Sequence, residues 1–145
     1  MPEIVTKRGE SISSFLGFTS FIRNFIHKYK PKRICIAFDE SLGTCFRNKI
    51  YPNYKSNRPY PPSELIHQFE LCKNFLTIIG IRNYSSRKYE ADDLLCTMSQ
   101  KNTKLGIRNI IITNDKDLFQ LIYSDDIWWN YNNKKYNYSE IEKLL

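Results

Sequence analysis

Apolar residues recur along this chain with two distinct periods. Phe15, Leu16, Phe18, Phe21, Ile22, Phe25 and Ile26 fall at helical spacing and predict an amphipathic helix over 11–30, ended by Lys28, Lys30 and Pro31. Leu65, Phe69, Leu71, Cys72, Phe75, Leu76 and Ile79 predict a second helix over 62–79, with Gly80 as the residue that closes it. Ala91, Leu94, Leu95, Met98 and Leu105 predict a third, starting at Ala91 and stopping near Gly106. Between them lie apolar runs too short for helices. The runs 33–38 and 107–113 read as buried strands, and 81–84 as a shorter one. Residues 116–123 read as a short helix, 126–129 and 134–138 as a hairpin around Asn132-Asn133, and Ser139 opens a terminal helix. This alternation of strand and helix predicts an α/β fold with a mostly parallel sheet flanked by helices.

Length and composition narrow the class. With 145 residues there is room for one domain, spanning 1–145, and little room for two. No apolar run approaches the length of a membrane span, and residues 1–7 lack a signal-peptide core, so no membrane partner is expected. The four cysteines show no metal spacing. Cys35 and Cys72 sit inside apolar runs and read as buried free thiols, which fits a reducing, cytoplasmic location. His27 and His67 lie on helices without catalytic context.

The carboxylates change the picture. Glu90, Asp92 and Asp93 stand at the start of the third helix, Asp115 and Asp117 follow one strand, and Asp39 ends another. Open α/β sheets place ligands outside the carboxyl ends of their strands. Taken singly, each group has a plain explanation. Asp92 and Asp93 complement a helix dipole, Asp39 is a loop or cap residue, and Asp115 and Asp117 cap the next helix. Six carboxylates in one cleft would raise one another's pKa unless cations neutralise them. Oxygen ligands without His or Cys point to Mg²⁺ or Mn²⁺. The net charge is +7 although six of the fifteen acids belong to this group, so the remaining surface is strongly basic. That combination suits a polyanion held through metal ions.

Residues 41–63 carry no acid. Arg47, Lys49, Lys55 and Arg58 alternate there with Phe46, Tyr51, Tyr54 and Tyr60, a pattern that suits single-stranded or frayed nucleic acid. Arg47, Lys49, Tyr54, Lys55 and Arg58 are the candidate DNA contacts. A solvated loop broken by Pro52, Pro59, Pro61 and Pro62 is the plainer reading of the segment alone.

These motifs together resemble the 5′→3′ nuclease family, which includes the nuclease domain of bacterial DNA polymerase I, the phage exonucleases and the flap endonucleases. The resemblance rests on Phe38-Asp39, Phe46-Arg47, Tyr54-Lys55-Ser56-Asn57-Arg58, Pro62-Ser63-Glu64-Leu65 with Gln68, Tyr89-Glu90-Ala91-Asp92-Asp93, and Thr113-Asn114-Asp115-Lys116-Asp117-Leu118 with Gln120-Leu121. It covers residues 4–145. It implies a PIN-like core with a basic helical arch at about 41–63, and a metal-dependent 5′→3′ exonuclease or flap endonuclease. Asp39, Glu90, Asp92, Asp93, Asp115 and Asp117 would carry or orient two Mg²⁺ or Mn²⁺ ions. Lys55 and Arg58 would be the arch residues at the scissile phosphate, with Arg47 a backbone contact nearby. The implied substrate is DNA with a 5′ flap or a frayed or single-stranded 5′ end, and the implied location is nucleoid-associated.

Three departures from the family pattern set further expectations. The first strand of the family, with its metal-binding Asp, has no counterpart here. A further Asp pair and a helix–hairpin–helix are also without counterpart, and Lys88 stands where Gly is usual. The resemblance therefore implies weakened metal binding and activity for this chain alone, with a DNA polymerase or a complementing segment as protein partner. The alternative from another class is a catalytically impaired DNA-binding remnant of the same fold. A phosphotransfer receiver or phosphatase fits poorly, because only one Asp follows the first visible strand.

Overall fold

The computed structural model describes residues 4, 5, 11–40, 44–132 and 134–144. In chain order the elements are α1 (Ser13–Tyr29), β1 (Cys35–Asp39), α2 (Phe46–Ile50), α3 (Ser63–Ile78), β2 (Arg82–Ser86), α4 (Ala91–Lys104), β3 (Ile110–Ile112), a 3-10 helix (Lys116–Leu121), β4 (Ile127–Trp129), β5 (Lys135–Asn137) and α5 (Tyr138–Glu142). The fold is α/β, as the periodicity predicts. Gly80 closes α3 at φ +75°, and the turn is tied by the Ile81 N–H donating to the Leu76 carbonyl at 2.8 Å. A side chain at that φ would be strained, so glycine ends the helix and frees the chain for β2.

The strands form two sheets. β1 pairs in parallel with β2, from Cys35 opposite Arg82 to Asp39 opposite Ser86. β3 pairs in parallel with β4, and β4 is antiparallel to β5. The expected single sheet is thus divided among the described residues, with β1 and β3 in different ladders. Helices hold the halves together. α4 packs on β1, on β2 and on the 3-10 helix, and α1 packs on α3. Phe18 of α1 meets Phe38 of β1 at 6.0 Å between ring centroids, and Phe25 of α1 meets Trp129 of β4 at 6.0 Å.

Each half has its own core. Ile22, Leu76 and Ile81 pack beneath β1 and β2. Ile111, Leu118, Ile122, Trp128 and Ile141 pack beneath β3 and β4. Leu76 has no exposed surface, and truncating such a side chain to Ala costs about 2–5 kcal/mol. Asp126, also fully enclosed, pins the entry to both strands of the second half. Its carboxylate accepts from the Asn109 backbone N–H at 2.6 Å, from Asn109 Nδ2 at 3.2 Å and from the Tyr123 N–H at 3.4 Å.

The structure corrects two expectations about burial. Ile110 and Ile112 are exposed, although their run reads as a buried strand. An unbroken apolar run implies cover on both faces. Here the core elements lie on the Ile111 side, and among the described residues β3 has a partner strand on one edge only. Cys35, expected to be buried, is exposed, whereas Cys72 is buried. The expected arch begins at residues 41–43, which lie outside the described residues, and the rest contains one short helix, α2, followed by turns. Its four prolines explain why no longer helix forms there.

Candidate active site

The ends of three elements supply the acids. β1 ends on Asp39, α4 begins beyond Glu90, and β3 runs out into Asp115. The loop after β3 is built tightly. The Trp128 indole donates to the Asp115 carbonyl at 3.0 Å, tying the loop to the second core. The Asp115 carboxylate accepts from the Asp117 N–H at 2.9 Å and so caps the 3-10 helix. Asp115 and Asp117 are both exposed beyond this cap. Asp92 is half-buried in the first turn of α4. Burial raises its pKa above the ordinary carboxylate value, and the charges of Asp115, Glu90 and Asp39 raise it further. The charge of Lys55 opposes them, so Asp92 feels both the other acids and the basic segment.

The basic segment reaches the same place. Arg47, on α2, grips Asp93 with two bonds of 2.7 Å and touches Glu90 at 3.2 Å. This bidentate pair holds the Asp93 carboxyl below its usual range, and the guanidinium correspondingly above its own. Glu90 is buried yet fully engaged. Besides Arg47 it accepts from the Tyr54 hydroxyl at 3.1 Å and from the Lys55 ammonium. Burial works to lower the Lys55 pKa, but the bond to Glu90 and its charge outweigh that, and the net shift is upward. Lys55 is held in the left-handed region at φ +55°, a conformation that side chains other than glycine adopt at a cost of about 1–3 kcal/mol. Asp93 also accepts from the Glu90 backbone N–H at 3.0 Å, so it organises the start of α4 as well.

The structure thus splits the six acids. Glu90 and Asp93 are neutralised by Arg47 and Lys55. Among the described residues no salt bridge engages Asp92 or Asp115. Of the basic candidates, Arg47, Tyr54 and Lys55 meet the carboxylates, while Lys49 and Arg58 are exposed on the same segment. The Arg58 N–H donates to the Lys55 carbonyl at 3.1 Å, closing the turn that strains Lys55.

Cys45 is a member that sequence reasoning missed. Its buried sulfur lies with ligand atoms of Glu90 and Asp93 inside 4.8 Å, a grouping able to hold a metal. Arg47 reaches all three, with its Nη1 at 3.6 Å from the sulfur, so the protein's own cation fills that space. Asp39, Asp92 and Asp115 offer oxygens of the kind a hard dication takes, although among the described residues Cys45, Glu90 and Asp93 are the group whose ligand atoms already lie within 4.8 Å of one another. Phe46 and Tyr89, 5.7 Å apart between ring centroids, border an open cleft beside Asp93 that also includes Leu94, Cys96 and Thr97.

Comparison with known proteins identifies the family and the fold. A family described as 5′-3′ exonuclease, N-terminal resolvase-like domain, matches residues 1–144. DNA polymerase I of Chloroflexus aurantiacus is 34% identical over 117 residues, which is 81% of this chain and 12% of that protein. DNA polymerase I of Mycobacterium tuberculosis is 37% identical over 122 residues, 84% of this chain and 13% of that protein. The chain therefore spans only a small part of these relatives. Among solved structures, bacteriophage T5 5′-exonuclease with bound zinc superposes with a TM-score of 0.64 at 21% identity, covering 85% of this chain and 49% of the other. The T5 flap endonuclease in a complex with DNA and metal ions gives 0.65 at 18% identity, covering 90% and 52%. At these identities the structural likeness establishes the fold.

Proposed function

This chain belongs to the 5′-3′ exonuclease family through its N-terminal resolvase-like domain, and we propose that it hydrolyses phosphodiester bonds at 5′ flaps and at frayed or single-stranded 5′ ends of DNA. The observation that carries the reading is the direct contact of the basic segment with the acids at the start of α4, Arg47 on Asp93 and Tyr54 and Lys55 on Glu90, with Asp92 in the same turn. Asp39, Asp92 and Asp115, with Asp117 alongside, are the residues that would hold divalent cations, two Mg²⁺ or Mn²⁺ ions by the donor set. Such ions supply a nucleophilic water at neutral pH and stabilise the leaving oxygen. The chain's own residues do the rest. Arg47, Lys49, Tyr54 and Arg58 receive the backbone and bases of the strand. Lys55 exchanges Glu90 for the scissile phosphate and offsets the charge that develops there. Glu90 and Asp93 set the position from which both cations depart.

We read residues 1–145 as one nuclease domain with its arch at about 41–63, working inside the cell on DNA beside a polymerase or a complementing segment. The test is cleavage of a 5′-flap substrate in Mg²⁺, with Asp92→Asn and Asp115→Asn. Loss of product in both supports the assignment, and undiminished cleavage in both overturns it.

A second reading has an observation of its own. Arg47 and Lys55 already neutralise Asp93 and Glu90, as in a DNA-binding remnant that no longer needs metal. A gel shift run beside the cleavage assay separates the two. Salt-sensitive binding without product after long incubation favours the remnant.

A further inference from the structure

A second cationic surface lies outside the carboxylate site. Residues 11–38 and 127–139 contain no acid. Between them they expose Lys28, Lys30, Lys32, Arg33, Lys134 and Lys135. The fold brings these two stretches together through an aromatic contact. Tyr29 at the end of α1 meets Trp129 of β4 edge-on, with 5.0 Å between ring centroids. The Lys135 ammonium stands 4.2 Å from the Trp129 centroid and 5.9 Å from that of Tyr29. The Lys28 ammonium stands 5.1 Å from the same Tyr29 ring. Two like charges are thus gathered on one aromatic platform, with four more cations on the adjoining chain.

Local requirements explain only part of this. Cations at the end of α1 complement the helix dipole, which accounts for Lys28 and Lys30. A lysine on the edge strand β5 discourages strand addition, which accounts for Lys135. Neither accounts for Lys32, Arg33 or Lys134, nor for the lack of any acid on either stretch. Among the described residues none of the six cations enters a salt bridge, whereas Arg47, Lys55 and Lys73 all do. Ring contacts restrict Lys28 and Lys135, so less side-chain freedom remains to be lost when an anion arrives.

We propose that this platform of Tyr29, Trp129 and the surrounding lysines is a second nucleic-acid surface that takes the phosphate backbone of duplex DNA. The chemistry favours duplex over single strand. Trp129 is buried, and the Lys28 and Lys135 ammonium groups already stand over the exposed Tyr29 ring, so the rings hold cations rather than receive bases. The inference deepens the nuclease reading and rests on DNA as its substrate, since a flap or a frayed end is carried by a duplex.

The test is binding of a short blunt DNA duplex by fluorescence anisotropy across a salt series, in EDTA, where no cleavage occurs. Lys28→Gln, Lys32→Gln and Lys134→Gln are combined in one variant. Lys101→Gln, Lys104→Gln and Lys143→Gln form a second variant with the same loss of charge on other exposed positions. Each phosphate contact contributes about 0.9 to the slope of log affinity against log salt, so the first variant should lose about 2–3 from that slope and the second almost none. Equal slopes in all three proteins, or no duplex binding by the unaltered chain, overturn the proposal. Equal thermal midpoints for the two variants show that folding is not the cause. The outcome is separate from the nuclease reading. A chain that cleaves nothing in Mg²⁺ but loses the slope only in the first variant refutes the activity and keeps the surface. Cleavage with unchanged slopes does the reverse.

Discussion

Asp126 and Glu90 are buried to almost the same degree, at 3% and 5% exposure, and their surroundings could hardly differ more. Asp126 is satisfied by neutral donors on neighbouring strands and turns, two backbone N–H groups and the Asn109 amide. Those donors cannot leave without unfolding β3. Glu90 is satisfied by a guanidinium, an ammonium and a phenol, all from residues 47–55 on the segment after α2 begins. Such donors can swing away to a phosphate. Burial of a carboxylate therefore says little about its purpose. The identity and mobility of its donors say whether it braces the fold or waits for an exchange.

Substitutions on each side of this contrast should separate cleanly. The largest effect is expected at the uncompensated acids. Asp115→Asn or Asp92→Asn should lower the rate of flap cleavage by on the order of 10³-fold, about 4 kcal/mol, while urea midpoints change little. Next comes Asp126→Ala, which strands the buried donors of Asn109 and the partly buried N–H of Tyr123. Each stranded group costs about 1–3 kcal/mol, so a loss of about 2–4 kcal/mol in urea unfolding is expected, with cleavage retained by the folded fraction. A stability loss no greater than at an exposed site would erase the distinction. Arg47→Gln should cost less, about 1–2 kcal/mol, because the partly exposed Asp93 can take up water in its place.

The smallest effect is a pH dependence. Arg47 depresses the Asp93 pKa, so the pair stabilises the fold above the unfolded-state carboxylate value and the benefit fades as pH falls through the lower folded value. The gap in urea midpoint between the unaltered chain and Asp93→Asn should shrink steadily on acidification below that range. A gap that widens there would show that Asp93 is not held by Arg47 in solution.

Most elements were legible because each repeats a local rule. The stripe from Phe15 to Ile26 and the closing Gly80 need no knowledge of the rest of the chain. The exposure of Ile110, Ile112 and Cys35 was not legible, because it depends on which strand edges find partners. The carboxylates could be read as a group from their places at strand and helix ends. Which of them Arg47 and Lys55 hold could not, since Arg47 and Asp93 are brought together across 46 positions and Lys55 and Glu90 across 35. Cys45 carried no signal at all, because its place is set by Arg47 on one side and α4 on the other. Asp126 read only as the first residue of a hairpin strand, and the Asn109 amide opposite reveals it as a brace.

The divided sheet has a consequence for how the molecule breathes. Strands in one ladder share hydrogen bonds and tend to open together, whereas separate ladders joined by helix packing can open one at a time. Amide hydrogen exchange should therefore resolve two protection classes, one for β1 and β2 and another for β3, β4 and β5. α4, which touches both, should follow the more stable class. Asp39 belongs to one class and Asp115 to the other. Every local opening of either half would pull the acids apart, so ligation across them would be felt as slower exchange in strands that never touch the ligand.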